Sequence, residues 1–312
     1  MSRLKRRVST ALALIRLGRL HFLVGGFVLH GLGIAIALYQ GAAWHPLAFL
    51  WGQIVITATQ IMTHYANDYF DLAADRANQT PTQWSGGSRV LVEGALPPSV
   101  ALRTAQCMAI IALAANLILS VLIRPGVPTF LLLAAAQAGA WFYSAPPLSL
   151  HSRGLGELAV IITVPLLTPL TGYYLQAGHF DLLPLLAVVP LCAIQGAMLL
   201  AIEFPDAEGD RAVGKRTLVI RLGAHRAKNL YVFLVSASFV SLPVLVAAGL
   251  PPLVGLAAAA FLPLALMLLW QVHRGDWRMP QRWNRFGFHT ILLLMGGSAA
   301  ECAAFILLIG LR

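Results

Sequence analysis

Long apolar runs, each followed by a short polar segment, recur from one end of the chain to the other. About nine such runs are present, and each has roughly the 20 residues that a helix needs to cross a hydrocarbon layer of about 30 Å. The pattern predicts an all-α protein, a polytopic membrane bundle of about nine helices formed by one domain, residues 1–312. The predicted spans are 20–40, 46–66, 101–123, 127–146, 156–176, 182–203, 228–249, 252–272 and 287–311.

Composition supports the membrane interpretation. Hydrophobic residues make up 58% of the 312 residues and charged residues 11%, about half of what a soluble protein carries. No cleavable signal peptide is predicted, because the basic start runs directly into a long first span. The three cysteines lie inside apolar runs, which is typical of small core residues.

The formal net charge of +10 reflects topology rather than a nucleic-acid partner. With a cytoplasmic N terminus, every lysine and arginine except Arg124 and Arg312 falls on the cytoplasmic side or at its membrane edge. This asymmetry predicts a multi-pass protein of the cell membrane with its N terminus in the cytoplasm. Contact of the basic face with anionic membrane lipid follows.

Two acidic stretches at the ends of apolar runs predict a metal site. In the first, Asn67, Asp71 and Asp75 fall at helical positions i, i+4 and i+8, so they share one face, and Asp68 lies beside it. Acidic side chains at this spacing repel one another unless a cation offsets their charge. Hard carboxylate oxygens of this kind are typical Mg²⁺ ligands.

The second acidic stretch ends the sixth predicted span, four spans after the first. Glu203, Asp206 and Asp210 follow the spacing i, i+3, i+7 and again share a helical face. Pro205 is expected to break the helix there. The four-span separation is compatible with two four-helix repeats plus one helix, which would place both motifs on one side of the membrane, across one cavity.

Two carboxylate clusters with basic loops between them favour a diphosphate ligand. Mg²⁺ ions could bridge the carboxylates to the diphosphate, and Arg76, Arg89, Arg153 and Lys215 are candidates for its remaining oxygens. The bilayer suggests a substrate with a long apolar tail. Loss of diphosphate from an allylic carbon leaves a cation, which an electron-rich aromatic ring can attack. Tyr143 could stack on that ring, and Asp75 or Glu203 could take a hydroxyl proton from it.

The two motifs resemble those of the UbiA superfamily of intramembrane prenyltransferases. Asn67-Asp68-x-x-Asp71-x-x-x-Asp75 matches its NDxxDxxxD motif, and Asp206-x-x-x-Asp210 matches its DxxxD motif. The resemblance implies a nine-helix bundle that opens sideways to lipid and binds a polyprenyl diphosphate with Mg²⁺. The implied catalytic residues are Asp71, Asp75, Asp206 and Asp210. The implied metal residues are these four with Asn67 and, in support, Asp68.

Within the superfamily, three stretches are similar to the dihydroxynaphthoate prenyltransferases of menaquinone synthesis. They are Arg153–Glu157, Thr171–Gln176 and Asp210–Leu218. This similarity implies an aromatic acceptor, 1,4-dihydroxy-2-naphthoate. Two departures qualify it: many members carry lysine near the position of His151, and the naphthoate enzymes carry asparagine where Glu203 stands. An additional acid near the cavity disfavours a carboxylated acceptor.

Other functions remain open at this stage. The acceptor could be 4-hydroxybenzoate, homogentisate or a glyceryl-phosphate lipid, and a terpene cyclase could use the same site without an acceptor. A cation-coupled transporter also places acids at broken helix ends, although its site lies near the bilayer midplane rather than at the cytoplasmic edge. The sequence assigns no prenyl length, no oligomeric state and no role to Glu203 or to Glu301, an acid inside the last span.

Overall fold

A computed structural model describes residues 3–312, and it describes side chains from Thr10 onward. The basic side chains before Thr10, which contribute to the predicted orientation, lie outside the described ones. Residues 3–312 form sixteen α-helices and no strand. The helices are α1 (Arg3–Gly18), α2 (Leu23–Tyr39), α3 (Pro46–Phe70), α4 (Leu72–Ala77), α5 (Pro98–Ile118), α6 (Val127–Ser144), α7 (Gly156–Ile161), α8 (Thr168–Ala177), α9 (Leu182–Glu203), α10 (Ala207–Ala212), α11 (Leu218–Leu222), α12 (Ala224–Val240), α13 (Leu242–Ala247), α14 (Pro252–Ala259), α15 (Leu262–His273) and α16 (Pro280–Gly310).

Eight helical segments of the described chain are long and apolar enough to cross a membrane. They correspond to eight of the predicted spans. The remaining prediction, 127–146, is the 18-residue helix α6, which is not among the eight. The predicted all-α, multi-pass architecture is therefore confirmed, and the predicted count of nine is approximate.

Proline residues divide several spans into two helices. The fifth span contains a π-helical segment, Ile162–Leu167, with Pro165 inside it, between α7 and α8. The seventh and eighth spans break just before α13 and α15, each of which carries proline in its first turn. Because proline lacks an N–H group and clashes with the preceding turn, each of these positions interrupts the regular helical ladder.

The first span has a different beginning from the predicted one. The segment before it forms helix α1, and a short 3-10 turn, Leu20–Phe22, connects it to α2. Arg19 at this turn has a left-handed backbone, with φ 45°. Leu17 is fully buried, and the Tyr65 hydroxyl donates to the Leu14 carbonyl at 2.8 Å, so α1 packs against α3. This packing holds Arg19 beside the inner end of α3.

The backbones of α2 and α8 approach each other closely. A Cβ atom on Gly33 would lie 1.8 Å from the Pro169 carbonyl oxygen, and one on Gly172 would lie 2.3 Å from the His30 carbonyl oxygen. Glycine at both positions therefore allows a contact that any larger residue would prevent. The main core forms where α2, α9, α12 and α16 pack together. A cavity lies beside this core and is lined by residues of helices α2, α3, α6, α9 and α16.

Candidate active site

The first acidic motif lies where α3 passes into α4. Asp71 forms the junction, and two hydrogen bonds maintain the helical spacing through it: Asp71 N donates to Asn67 O at 2.8 Å, and Asp75 N donates to Asp71 O at 2.9 Å. The predicted common face of Asn67, Asp71 and Asp75 is thus preserved although the helix is interrupted. All three motif aspartates, including Asp68, are buried.

The second acidic motif has a similar construction. Helix α9 ends at Glu203, and α10 begins three residues beyond Phe204, after Pro205 and Asp206. Asp210 N donates to Asp206 O at 2.9 Å, so these two aspartates are again one turn apart. Helices α4 and α10 pack together. A Cβ atom on Gly209 would lie 2.9 Å from the backbone nitrogen of Asn78, which explains the small residue at this contact.

Lys215 joins the two motifs. Its Nζ atom lies 2.9 Å from Oδ1 of Asp71 and 3.0 Å from Oδ1 of Asp210. His151 adds to the same carboxylate, with Nε2 2.6 Å from Oδ1 of Asp71. The other ring nitrogen of His151 lies 2.7 Å from the Tyr143 carbonyl oxygen. Both ring nitrogens of His151 therefore lie against oxygen atoms.

Lys215 and His151 stabilise the charge of Asp71. Burial opposes that charge, but Lys215 and His151 outweigh it and lower the pKa of Asp71 to about 2. The same contacts favour the charged form of Lys215. Burial disfavours its ammonium group, yet the carboxylates of Asp71 and Asp210 raise the pKa of Lys215 above its usual value. The two motifs are thus linked by a partly shielded ionic network.

The other carboxyl groups lack comparable compensation. Burial and the nearby charges of Asp71 and Asp68 raise the pKa of Asp75 to about 8. Burial and the charge of Asp210 raise the pKa of Asp206 to about 7. The pKa of Asp210 is also raised, mainly by burial. The site therefore concentrates more negative charge than its own side chains neutralise, and an added cation would relieve it.

Neutral donors orient Asp206. Asn78 Nδ2 donates to its Oδ1 at 2.7 Å, and the backbone N–H of Gly86 donates to its Oδ2 at 3.2 Å. Asp68 is held differently, by Arg19 Nη2 at 2.7 Å and by both the hydroxyl and the backbone N–H of Ser88. Asp68 thereby connects α3 to the loop that follows α4. Its predicted supporting role at the metal stays a prediction.

The loop after α4 covers the first motif. Gly87 has φ 72°, and a Cβ atom on it would lie 2.0 Å from Oδ2 of Asp75. Only glycine allows both this backbone conformation and this approach. Arg89 Nη1 donates to the Asp75 backbone carbonyl, which supports the fold of the motif, and its contact with phosphate stays a prediction.

The acidic motifs line a polar cleft of about 150 Å³. Beside it lies a largely apolar cavity of about 530 Å³ between the helices. Asn67, Trp84 and Tyr143 line both spaces, so the cleft and the cavity meet at these three side chains. Trp84 is fixed there by its indole N–H, which donates to the Asn284 carbonyl at 3.0 Å. A charged head group and an apolar tail would fit this pair of spaces.

The structure separates the predicted cationic residues. Lys215 lines the cleft, and Tyr143 lines the cleft and the cavity. Arg76 and Arg153 are exposed and are not among the residues lining the cleft, and Arg153 Nη2 donates to the Pro147 carbonyl at 2.7 Å. Arg19 lines the cleft instead. The α1–α3 packing brings it there, and its place at the start of the first predicted span already leaves contact with an anionic ligand open as an interpretation of the sequence.

Sequence reasoning also missed neutral residues that line the cleft, above all Asn78, Trp84 and Thr217. Asn78 follows Asp75 by three residues, so helical spacing alone could have suggested it. Trp84 stands in a polar loop beside two glycines, an unusual place for a large aromatic residue. Thr217 gives no signal in the sequence.

The donor set fits a divalent metal shared with a ligand. Among the described side chains, no three His, Cys, Asp or Glu residues converge to hold a metal ion by themselves. Each motif instead presents carboxylates to a common cleft, and the pKa of Asp75, Asp206 and Asp210 is raised there, mainly by burial. Mg²⁺ prefers such oxygen donors, keeps several waters and takes further ligands from phosphate groups. Neither carboxylate cluster supplies a full set of metal ligands by itself, which matches a metal ion that takes further ligands from a bound phosphate group.

Comparison with known proteins gives a consistent result. A model of the UbiA prenyltransferase family matches residues 26–293. The 1,4-dihydroxy-2-naphthoate octaprenyltransferase of Mycobacterium leprae (strain TN) is 31% identical over 248 residues, which cover 80% of this chain and 80% of that protein. The digeranylgeranylglyceryl phosphate synthase of Thermococcus gammatolerans is 31% identical over 209 residues, 66% of this chain and 67% of that protein.

A solved structure shows the same fold at lower identity. A UbiA homologue from Archaeoglobus fulgidus, bound to GPP and Mg²⁺, superposes with a TM-score of 0.65 at 15% sequence identity. The match covers 93% of this chain and 99% of that one.

Proposed function

The chain belongs to the UbiA prenyltransferase family and is a multi-pass membrane enzyme that transfers prenyl groups, and from that premise we propose that it transfers a polyprenyl group from polyprenyl diphosphate to 1,4-dihydroxy-2-naphthoate in menaquinone biosynthesis. The observation that carries the proposal is the junction of the acidic cleft with the apolar cavity at Asn67, Trp84 and Tyr143. A diphosphate in the cleft would place its allylic carbon at this junction, with the prenyl tail among the membrane helices.

The carboxylates of both motifs would hold Mg²⁺ in this proposal. The residues are Asp71, Asp75, Asp206 and Asp210, with Asn67 and, in support, Asp68. When bound, Mg²⁺ offsets the charge of the diphosphate and makes it a better leaving group. Asn78 and the Gly86 N–H orient Asp206 for this role.

The protein's own cations complete the anion site. Lys215 already lies between Asp71 and Asp210, so its ammonium group is placed to contact a diphosphate held between the motifs. Arg19, half-shielded beside Asp68, lines the same cleft. Arg76, Arg89 and Arg153 would need to move from their present positions to reach phosphate oxygens.

The acceptor is inferred from the naphthoate relatives. The apolar cavity offers room for an aromatic ring beside the prenyl chain, and Tyr143 could stack on that ring at the junction. The Thermococcus relative supports a second candidate, a glyceryl-phosphate lipid.

A parallel acceptor assay tests the proposal. Membranes containing the protein receive one polyprenyl diphosphate, Mg²⁺ and, in separate reactions, dihydroxynaphthoate, 4-hydroxybenzoate, homogentisate or a glyceryl-phosphate lipid. We expect the naphthoate to be prenylated fastest. Preference for another acceptor would reject the menaquinone role and keep prenyl transfer. Cyclised product without any acceptor would indicate a terpene cyclase instead.

We also propose that the protein lies in the cell membrane with its N terminus and both motifs on the cytoplasmic side. The distribution of lysine and arginine supports this orientation. Cysteines introduced at the exposed positions Gln79 and Ala43 would report it through labelling of intact cells. Labelling at 43 and protection at 79 are expected, and the reverse pattern would overturn the orientation.

A further inference from the structure

A pair of glutamates lines the active-site cleft without belonging to either aspartate set. Glu157 lies in the first turn of α7, and Glu203 ends α9. Helices α7 and α9 pack against each other, and both carboxyl groups reach the cleft. The two residues therefore form a second acidic unit beside the aspartates.

The backbone of α11 fixes this unit. The Leu218 N–H donates to Oε1 of Glu157 at 2.6 Å, and α11 also packs against α9, which carries Glu203. The second oxygen of each glutamate, Oε2, is buried and has no N–H or O–H donor among the described residues. Both side chains line the cleft, beside Tyr143. The pair is thus positioned firmly while part of its accepting capacity is unused.

An independent observation points to a ligand at the same place. Thr217 is only 5% exposed and lines the cleft, yet its hydroxyl has no hydrogen-bond partner within the described part of the chain. A buried hydroxyl without a partner is unfavourable. A ligand that both donates to the glutamates and accepts from Thr217 would satisfy all of these atoms. A hydroxyl group has this combination.

We propose that Glu157, Glu203 and Thr217 form the subsite that binds the hydroxyl group of the prenyl acceptor, and that the glutamate pair takes its proton during transfer. This inference rests on the proposed prenyl-transfer function and adds the chemical class of the acceptor group, a hydroxyl, and the residues that receive it. A carboxylate of the acceptor would point away from the pair, because like charges repel.

Proton transfer to the glutamate pair accompanies formation of the new carbon–carbon bond. The acceptor hydroxyl gives its proton to the ionised carboxylate, and its electrons pass into the ring. A ring carbon forms a bond to C1 of the prenyl group, while the C1–O bond breaks and its electron pair leaves with diphosphate. The attacked carbon then loses carbon dioxide, or loses a proton to water in the cleft, and in either case the electrons of the broken bond pass into the ring. The ring becomes aromatic again as the carboxyl group returns the proton to the oxygen.

Paired substitutions test the subsite in the full-length protein with Mg²⁺. Because either glutamate can retain a charge when the other is replaced, the decisive variant is the double variant Glu157→Gln/Glu203→Gln. General-base loss should slow transfer by about 10²–10⁴-fold. The Michaelis constant for polyprenyl diphosphate should change little. Glu301→Gln is the matched control, since Glu301 is a buried glutamate that does not line the cleft, and it should transfer at the unmodified rate.

Acceptor acidity separates a proton-transfer role from a structural one. A ring-fluorinated acceptor has a more acidic hydroxyl and needs less help from a base. It should therefore recover part of the loss in the double variant, whereas a purely structural defect would be the same for both acceptors. Thr217→Val gives a second measurement: acceptor binding without prenyl diphosphate should weaken roughly tenfold, with the protein still folded.

Each result of these experiments has a different consequence for the proposed hydroxyl subsite. A double variant that transfers at the unmodified rate, or whose loss is independent of acceptor acidity, would overturn the inference. Equal weakening of polyprenyl diphosphate binding would assign the pair to the diphosphate site and also overturn it. If the unmodified protein prenylates a glyceryl-phosphate lipid instead of a ring, the proposed function fails, and the same variants still decide whether the pair receives that lipid's hydroxyl.

Discussion

The two acidic motifs look alike in sequence but are stabilised differently. Asp71 in the first motif lies against the Lys215 ammonium group and the His151 ring, and its pKa falls to about 2. Asp206 in the second motif is held by neutral donors, Asn78 and the Gly86 N–H, and its pKa rises to about 7. Lys215 also contacts Asp210, so Asp71 and Asp210 share one counter-charge, whereas Asp206 has neutral donors and would gain from a cation supplied from outside.

Because of this difference, Asp71 and Asp206 have different tasks within one site. A carboxylate with built-in cations keeps its charge and position before any ligand arrives. A carboxylate oriented by neutral donors keeps its position while its charge attracts a metal. The loops after the motifs differ as well: residues 88–94 form turns, whereas the corresponding segment of the second motif forms α11. Any duplication of the chain therefore does not extend to these loops.

The largest expected effect comes from removing a single motif carboxylate, either Asp71 or Asp206, in separate variants. Asp71→Asn and Asp206→Asn should each lower prenyl transfer by roughly 10³-fold or more, because both motifs would be needed to hold the metal and the diphosphate. Activity of the unmodified protein should also disappear in excess EDTA and return with Mg²⁺. Asp181→Asn, at a helix cap outside the cleft, serves as the control. Near-normal turnover in either motif variant would refute the assignment.

Replacing Lys215 tests the bridge between the motifs. Lys215→Met removes a charged contact to Asp71 and Asp210, so kcat/KM for polyprenyl diphosphate should fall roughly 10- to 100-fold. The measurement is initial rate against substrate concentration. Lys228→Met provides a lysine control outside the cleft. An unchanged kcat/KM would show that Lys215 serves only the fold.

The neutral support of the second motif is the next target. Asn78→Ala removes a donor to Asp206, and the loss of such an outer contact weakens metal affinity by about 10-fold or somewhat more. The Mg²⁺ concentration for half-maximal activity should rise, while activity at saturating Mg²⁺ should be largely kept. A lower maximal rate with unchanged Mg²⁺ dependence would contradict a role through the metal.

The exposed arginines should give the smallest effect. Arg76→Ala and Arg153→Ala remove surface charges that do not line the cleft, so the Michaelis constant for polyprenyl diphosphate should stay within about twofold. A larger increase in either variant would mean that its arginine moves into the site when substrate binds.

Sequence periodicity determined the parts of this site that are local. Apolar runs gave the membrane helices, and the spacing of Asn67, Asp71 and Asp75 placed them on one face because a helical turn repeats within a few residues. The spacing of Asp206 and Asp210 gave the second motif in the same way. The family resemblance followed from these two local patterns, and the structural and sequence relatives agree with it.

Tertiary structure decided which distant side chains meet. Lys215 contacts Asp71 across more than a hundred residues, Arg19 reaches Asp68 because α1 folds back on α3, and Glu157 meets Glu203 where α7 and α9 converge. Arg76 and Arg153 remain outside the cleft, although Arg76 directly follows Asp75 in the sequence. Helical spacing is set by bonds within a few residues, whereas these contacts depend on how whole helices pack, which no local pattern encodes.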